Sequence, residues 1–219
     1  MIYIFKNDVS YFFHHNKKIL MIYIGLVLGY WGLQRFSNYI TVDTFYDTLG
    51  LNIGDSGLLE YILFIFTIEV YIYICARIFT KDLKVGMDHI FLRMNSSKWF
   101  LYKWMTIFMI TFLLKLTIYI LIIVLIGLGN IPDHLFLVFL SDIIYTSIIQ
   151  MIVITIYTLT KRHYIFLFLF LLFLLFLGMY LPICIIATIK YLYIYIIILG
   201  IMSIGNFILI GKNHIYLFE

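Results

Sequence analysis

Three ionisable side chains, Glu69, Lys115 and Asp142, stand inside runs of otherwise apolar residues. A charge in such a setting costs roughly a few kcal/mol unless it finds a partner or water. Glu69 and Lys115 occupy matching depths of consecutive runs and carry opposite charge, so they are expected to pair. Asp142 and Gln150 lie in a later run. Together they could line a polar path, although hydrogen bonding between helices is the simpler role for both. Chemistry of this kind serves ion movement or helix association rather than covalent catalysis.

Strings that would carry catalysis do not survive inspection. Gly54-Asp55-Ser56-Gly57 matches a serine-protease nucleophile segment in four letters only, and a Gly-flanked turn accounts for it. There is no H-E-x-x-H, and His14, His15, His89, His134, His163 and His214 all fall at the ends of apolar runs or between them, where they read as surface histidines. Gly205 and Gly211-Lys212 have the wrong spacing for a phosphate loop, with Asn213 where Ser or Thr is needed, so the chain is not expected to hydrolyse ATP itself. Cys75 and Cys184 sit in apolar runs and read as packed thiols rather than a disulfide or a thiolate metal site.

The elements that must position these residues follow from composition. The 219 residues are 64% hydrophobic and 12% charged, against roughly 45–50% and 25% in soluble domains. Mean hydropathy is +1.08. The expected fold is an all-α integral membrane protein, one membrane domain over 1–219. Six transmembrane helices are expected at about 19–36, 58–79, 104–128, 135–159, 165–181 and 191–211. Runs such as IFLFLFLLFLLFLGMYL are continuously apolar, which favours helices over barrel strands. Ile, Phe, Tyr, Lys and Asn are abundant, a bias typical of AT-rich bacterial genomes, so the expected location is a bacterial plasma membrane.

Basic residues set the orientation. Lys6, Lys17, Lys18, Lys81, Lys84, Arg93, Lys98, Lys103, Lys161, Arg162 and Lys212 all fall on one side of this layout, which places both termini in the cytoplasm. Asp43, Asp47, Asp55 and Asp133 fall on the other. The sequon Asn95-Ser96-Ser97 then faces the cytosol and escapes glycosylation. The first run lacks a small-residue cleavage site and is expected to remain as a helix.

Two amphipathic segments stand out. Residues 2 to 17 put Ile2, Phe5, Val9, Phe12 and Phe13 on one helical face, as an in-plane interfacial helix would. In KDLKVGMDHIFLRMNSSKWFLYKW, Met87, Ile90, Phe91 and Met94 form a stripe with Lys84, Asp88 and Arg93 off it, giving a short helix at the membrane surface. Asn95 would end that helix, and Ser96 or Ser97 would cap the next. In the first span, Gly25, Gly29 and Gly32 make one smooth strip for close helix packing, within the chain or with a second copy.

In this layout the chain resembles the membrane subunits of type-2 ATP-binding-cassette exporters, especially the small permeases of bacteriocin export or immunity systems. The likeness rests on an amphipathic segment with Lys17-Lys18 before the first span, on six spans, and on the basic loop with Gly86 and Phe91 to Trp99 between the second and third. The resemblance implies that Lys84, Gly86, Met87, Asp88, Ile90, Phe91, Arg93 and Met94 form a coupling helix docking into a separate nucleotide-binding ATPase. It implies that ATP binds at that partner, with no cofactor and no enzyme activity on this chain. It also implies a second permease copy or homologue, met through the first and fifth spans, with the glycine strip at that contact. The chain departs from the family between the fifth and sixth spans, where only Pro182 to Lys190 stands in place of re-entrant helices; the loop from Ser37 to Gly57 would then share the outer gate.

The function this implies is ATP-driven export of a hydrophobic or amphipathic substrate, a peptide or a lipid-like molecule. Partners are the ATPase, the second permease and the bilayer, with no nucleic acid. A stand-alone membrane immunity factor and an ion-coupled transporter built on Glu69, Lys115 and Asp142 are the alternatives. An intramembrane metalloprotease would need paired glutamates and intramembrane histidines, and Glu60 and Glu69 are more than two helical turns apart.

Overall fold

The computed structural model describes residues 2–36, 58–85, 95–126, 135–160 and 192–212. Among these the chain is all-helical: α1 Ile2–Phe36, α2 Leu58–Val85, α3 Ser96–Ile126, α4 Leu135–Thr160 and α5 Leu192–Lys212. Three of them are long and apolar enough to cross a membrane, over Ser96–Val124, Leu135–Thr158 and Leu192–Ile210. The chain is thus a helical membrane protein. The expected fifth span, 165–181, lies outside the described residues.

α1 corrects one expectation. No separate in-plane helix precedes the first span, because Ile2–Phe36 is a single helix. Its buried residues, Asp8, Phe12, Asn16, Leu20, Tyr23, Val27, Tyr30 and Trp31, recur every three or four positions along its length. The apolar period of residues 9 to 12 runs into that of 20 to 31 with no Gly or Pro before Gly25 to interrupt it. Phe13, expected on the apolar face, is instead 53% exposed. Side chains of Ile2 and Phe5 lie outside the described residues.

α3 begins eight residues before the expected boundary at 104. Asn95 is its cap: its Oδ1 accepts from the Ser97 N–H at 3.4 Å, and its carbonyl accepts the first helical bond from the Trp99 N–H at 3.0 Å. The cap expected at Ser96 or Ser97 therefore sits one residue earlier. Trp99, Phe100 and Lys103 are buried, which is why this turn joins the bundle although its charges read as loop.

α3 is the central helix, packed on α1, α2, α4 and α5, while α4 also packs on α2 and α5. Its two-wide stripe of Phe100, Lys103, Ile107, Thr111, Lys115, Tyr119 and Ile122 is buried, and Met105, Met109, Leu113, Ile120 and Val124 face outward. Outward apolar side chains at that spacing suit lipid as solvent. Between α3 and α4, Lys115 meets Asp142 and Thr111 meets Gln150, so these helices run antiparallel. α4 and α5 run parallel: Tyr145 lies within electrostatic range of Tyr195, and further along both helices Asn206 Nδ2 donates to the Met151 carbonyl at 3.3 Å.

Polar residues in the apolar helices satisfy themselves locally or across helices. The hydroxyls of Thr106, Ser141, Ser147 and Ser203 donate to the carbonyl four residues back at 2.7–2.8 Å. Gln150 Nε2 donates to Thr111 Oγ1 at 2.9 Å and to the Tyr71 carbonyl at 3.4 Å, tying three helices together. Cys75 is a free, buried thiol whose Sγ donates to the Gln150 carbonyl at 3.8 Å, the packed thiol that its apolar run implies. Cys184 lies outside the described residues.

Candidate functional site: two buried charge centres

The first centre lies inside the bundle, 19 residues past the start of α3 and seven past the start of α4. Lys115 Nζ is 2.6 Å from Asp142 Oδ1, and both side chains are nearly buried. The Lys115 ammonium also lies 4.7 Å from the centre of the Tyr71 ring on α2, an attractive position over its electron-rich face. The Tyr119 hydroxyl donates to Asp142 Oδ2 at 3.4 Å. Beside the pair is a cavity of about 40 Å³ that Tyr23 and Trp31 of α1 close on one side. This exceeds the ~10–15 Å³ that one water requires, and the lining is polar enough to hold it. Tyr71, its hydroxyl buried beside Tyr23, also lines this space.

This geometry corrects the expected Glu69–Lys115 pair. Lys115 takes Asp142, and among the described residues Glu69 makes no ion pair. Glu69 is half-buried on the rim of α2 that also carries Tyr73 and Arg77 at helical spacing, whereas the inward ridge carries Ile68, Tyr71, Ile72 and Cys75. Depth and charge made Glu69 the expected partner; the helix face it occupies points it away from Lys115. Gln150 binds between helices, the simpler of the two roles expected for it.

The second centre, at the end where α1 begins, α2 ends and α3 begins, was not anticipated. Asp8 is 1% exposed; its Oδ1 lies 3.0 Å from Lys81 Nζ and its Oδ2 lies 2.5 Å from Lys103 Nζ. Lys103 is fully buried. Lys81 also donates to the Asn7 carbonyl at 3.4 Å and lies 4.7 Å from the Tyr11 ring centre. One turn deeper, Arg77 Nη1 donates to Asn16 Oδ1 at 3.0 Å and to the Tyr73 hydroxyl. The sequence signal was present: Asp8, Phe12, Asn16 and Leu20 are four apart, so a carboxylate shares a ridge with buried apolar residues.

Of the expected coupling residues, Lys84 falls in the last turn of α2, its side chain outside the described residues. Gly86, Met87, Asp88, Ile90, Phe91, Arg93 and Met94 lie outside the described residues altogether. Gly25 and Gly29 are on the exposed face of α1 and Gly32 is at its edge, and among the described residues nothing lies within 4 Å of where a Cβ would stand on any of the three. The strip therefore does not pack on a described helix of this chain. His14 and His15 are exposed. Among the described residues no group of three or more His, Cys, Asp or Glu could hold a metal ion. Compared with known proteins, the chain matches no family model, no curated protein and no solved structure.

Proposed function

We propose that this chain is the permease subunit of an ATP-driven exporter in a bacterial plasma membrane, moving a hydrophobic or amphipathic substrate outward with energy from a separate nucleotide-binding subunit. The observation that carries the reading is the Asp8 clamp. Lys81 lies four residues before the end of α2 and Lys103 seven residues after the start of α3, so one carboxylate on α1 ties together both helices that flank residues 86–94. A push on that connector by a partner would reach three helices at once. The excess of lysine and arginine at this end supports its cytoplasmic placement.

Two further features support the layout. The parallel course of α4 and α5 agrees with the expected span at 165–181 and with six in all. The outward glycine strip agrees with a contact to a second permease copy.

The test is to purify the tagged protein in mild detergent from its native host and identify its partners by mass spectrometry, with Arg93→Glu as the comparison. A stoichiometric ATPase, depleted in the variant, is the expected result. Absence of any ATPase after crosslinking would sink the reading in favour of an immunity factor. Transport by the reconstituted chain alone, down an ion gradient, would instead favour an ion-coupled carrier centred on Lys115 and Asp142.

A further inference from the structure

The rim where α1 crosses α2 carries a guanidinium, Arg77, that pairs with no carboxylate among the described residues. Asp8 is consumed by Lys81 and Lys103. Arg77, half-buried on this rim, has neutral partners among the described residues: Asn16, the Tyr73 hydroxyl and the Tyr73 ring, 5.6 Å from its guanidinium carbon, with Tyr11 beside it. A guanidinium presents five N–H donors in a fork that matches carboxylate or phosphate. Here it stands two residues from the expected end of a membrane span, at headgroup depth. Across from it on α1, Tyr11 stacks on His15 with ring centres 4.2 Å apart, and exposed Lys18 continues the same face one turn on.

That face then turns apolar without leaving the helix. Ile22, Leu26 and Leu33 are 57%, 48% and 72% exposed and follow His15 and Lys18 at helical spacing. From Ile22 to Leu33 the stripe is about 16 Å long at ~1.5 Å per residue, one leaflet of a ~30 Å hydrocarbon core. A cationic rim at one end of a leaflet-long apolar stripe matches an amphiphile, whereas a free phosphate would use only the rim.

We propose that the α1–α2 rim is a binding site for an anionic phospholipid, with Arg77 gripping the phosphodiester, His15 and Lys18 flanking it, and an acyl chain lying along Ile22, Leu26 and Leu33. Basic pockets between helices at the cytoplasmic face hold such headgroups in this way. The inference stands on the rim alone and does not depend on an ATPase partner.

The experiment uses the full chain in detergent micelles, following its thermal unfolding midpoint while titrating phosphatidylglycerol, phosphatidylcholine with the same acyl chains, or inorganic phosphate. Phosphatidylglycerol is expected to raise the midpoint saturably, and native mass spectrometry to find one retained per chain; the other two probes are expected to do neither. Arg77→Gln should raise the half-saturating lipid concentration about tenfold, and Arg77→Lys by less, because it keeps the charge and loses the fork. Should Arg77→Gln fail to fold, the surface variant H15Q/K18Q, which touches no buried group, is expected to weaken lipid binding about threefold. Equal responses to both lipids, or unchanged lipid dependence in the variants, would overturn the proposal. An equal response to inorganic phosphate would overturn it in favour of a soluble anion.

Discussion

The bundle buries a lysine–carboxylate centre at its end and another at its middle, and the two are built differently. At the end, one carboxylate serves two lysines from two other helices, one of them fully buried. At the middle, one lysine meets one carboxylate across a single helix pair, next to a cavity with room for water. A buried ion pair is weak evidence of net stabilisation, but breaking one is expensive because the remaining charge loses its partner. The end centre, with two lysines held by one carboxylate that is 1% exposed, is a structural clamp. The middle centre can be rehydrated, so it tolerates change.

Substitutions can break or sharpen this contrast. The largest effect is expected for Asp8→Asn, which deprives two lysines of their shared carboxylate and should cost about 3–5 kcal/mol of unfolding free energy in mixed micelles. Lys115→Met should cost less, about 2–3 kcal/mol, because cavity water can solvate the Asp142 carboxylate. The K115M/D142L pair should recover to within about 1 kcal/mol of wild type, since no charge remains. If Lys115→Met proved as costly as Asp8→Asn, the cavity would not be hydrating the pair. Smaller again, Gln150→Leu should lose about 0.5–1 kcal/mol with its bond to Thr111, measured the same way. Smallest is Gly29→Ala, expected to move monomer stability by under ~0.5 kcal/mol, because open space surrounds the site. Gly29→Leu should nonetheless weaken self-association in a crosslinking assay if the strip meets a second copy.

Elements with one dominant signal were legible in the sequence. The expected spans 135–159 and 191–211 coincide with α4, Leu135–Thr160, and α5, Leu192–Lys212, because uninterrupted apolar runs leave a lipid-immersed chain no alternative to a helix. Boundaries failed where burial depends on a partner. Lys103 reads as the polar edge of a loop until Asp8 is placed beside it, and Asp8 reads as solvated until the lysines are. Neither residue's burial can be seen without the other, so the start of α3 and the fate of the N-terminal segment were missed together. Glu69 was matched to Lys115 by depth and opposite charge, but it lies on the outer rim of its helix, whereas Asp142 faces Lys115 across α3 and α4.

The account turns on whether a force applied between Val85 and Asn95 reaches the bundle through the Asp8 clamp. The most direct measurement is ATP hydrolysis by the purified complex of this chain with the proposed ATPase in nanodiscs, comparing wild type with the D8N/K103M pair, which removes one charge of each sign. On the proposed function, the clamp predicts that the variant retains the ATPase but loses stimulation of hydrolysis by this chain, with its thermal midpoint held close to wild type by the charge balance. Full stimulation in a folded D8N/K103M complex would contradict it.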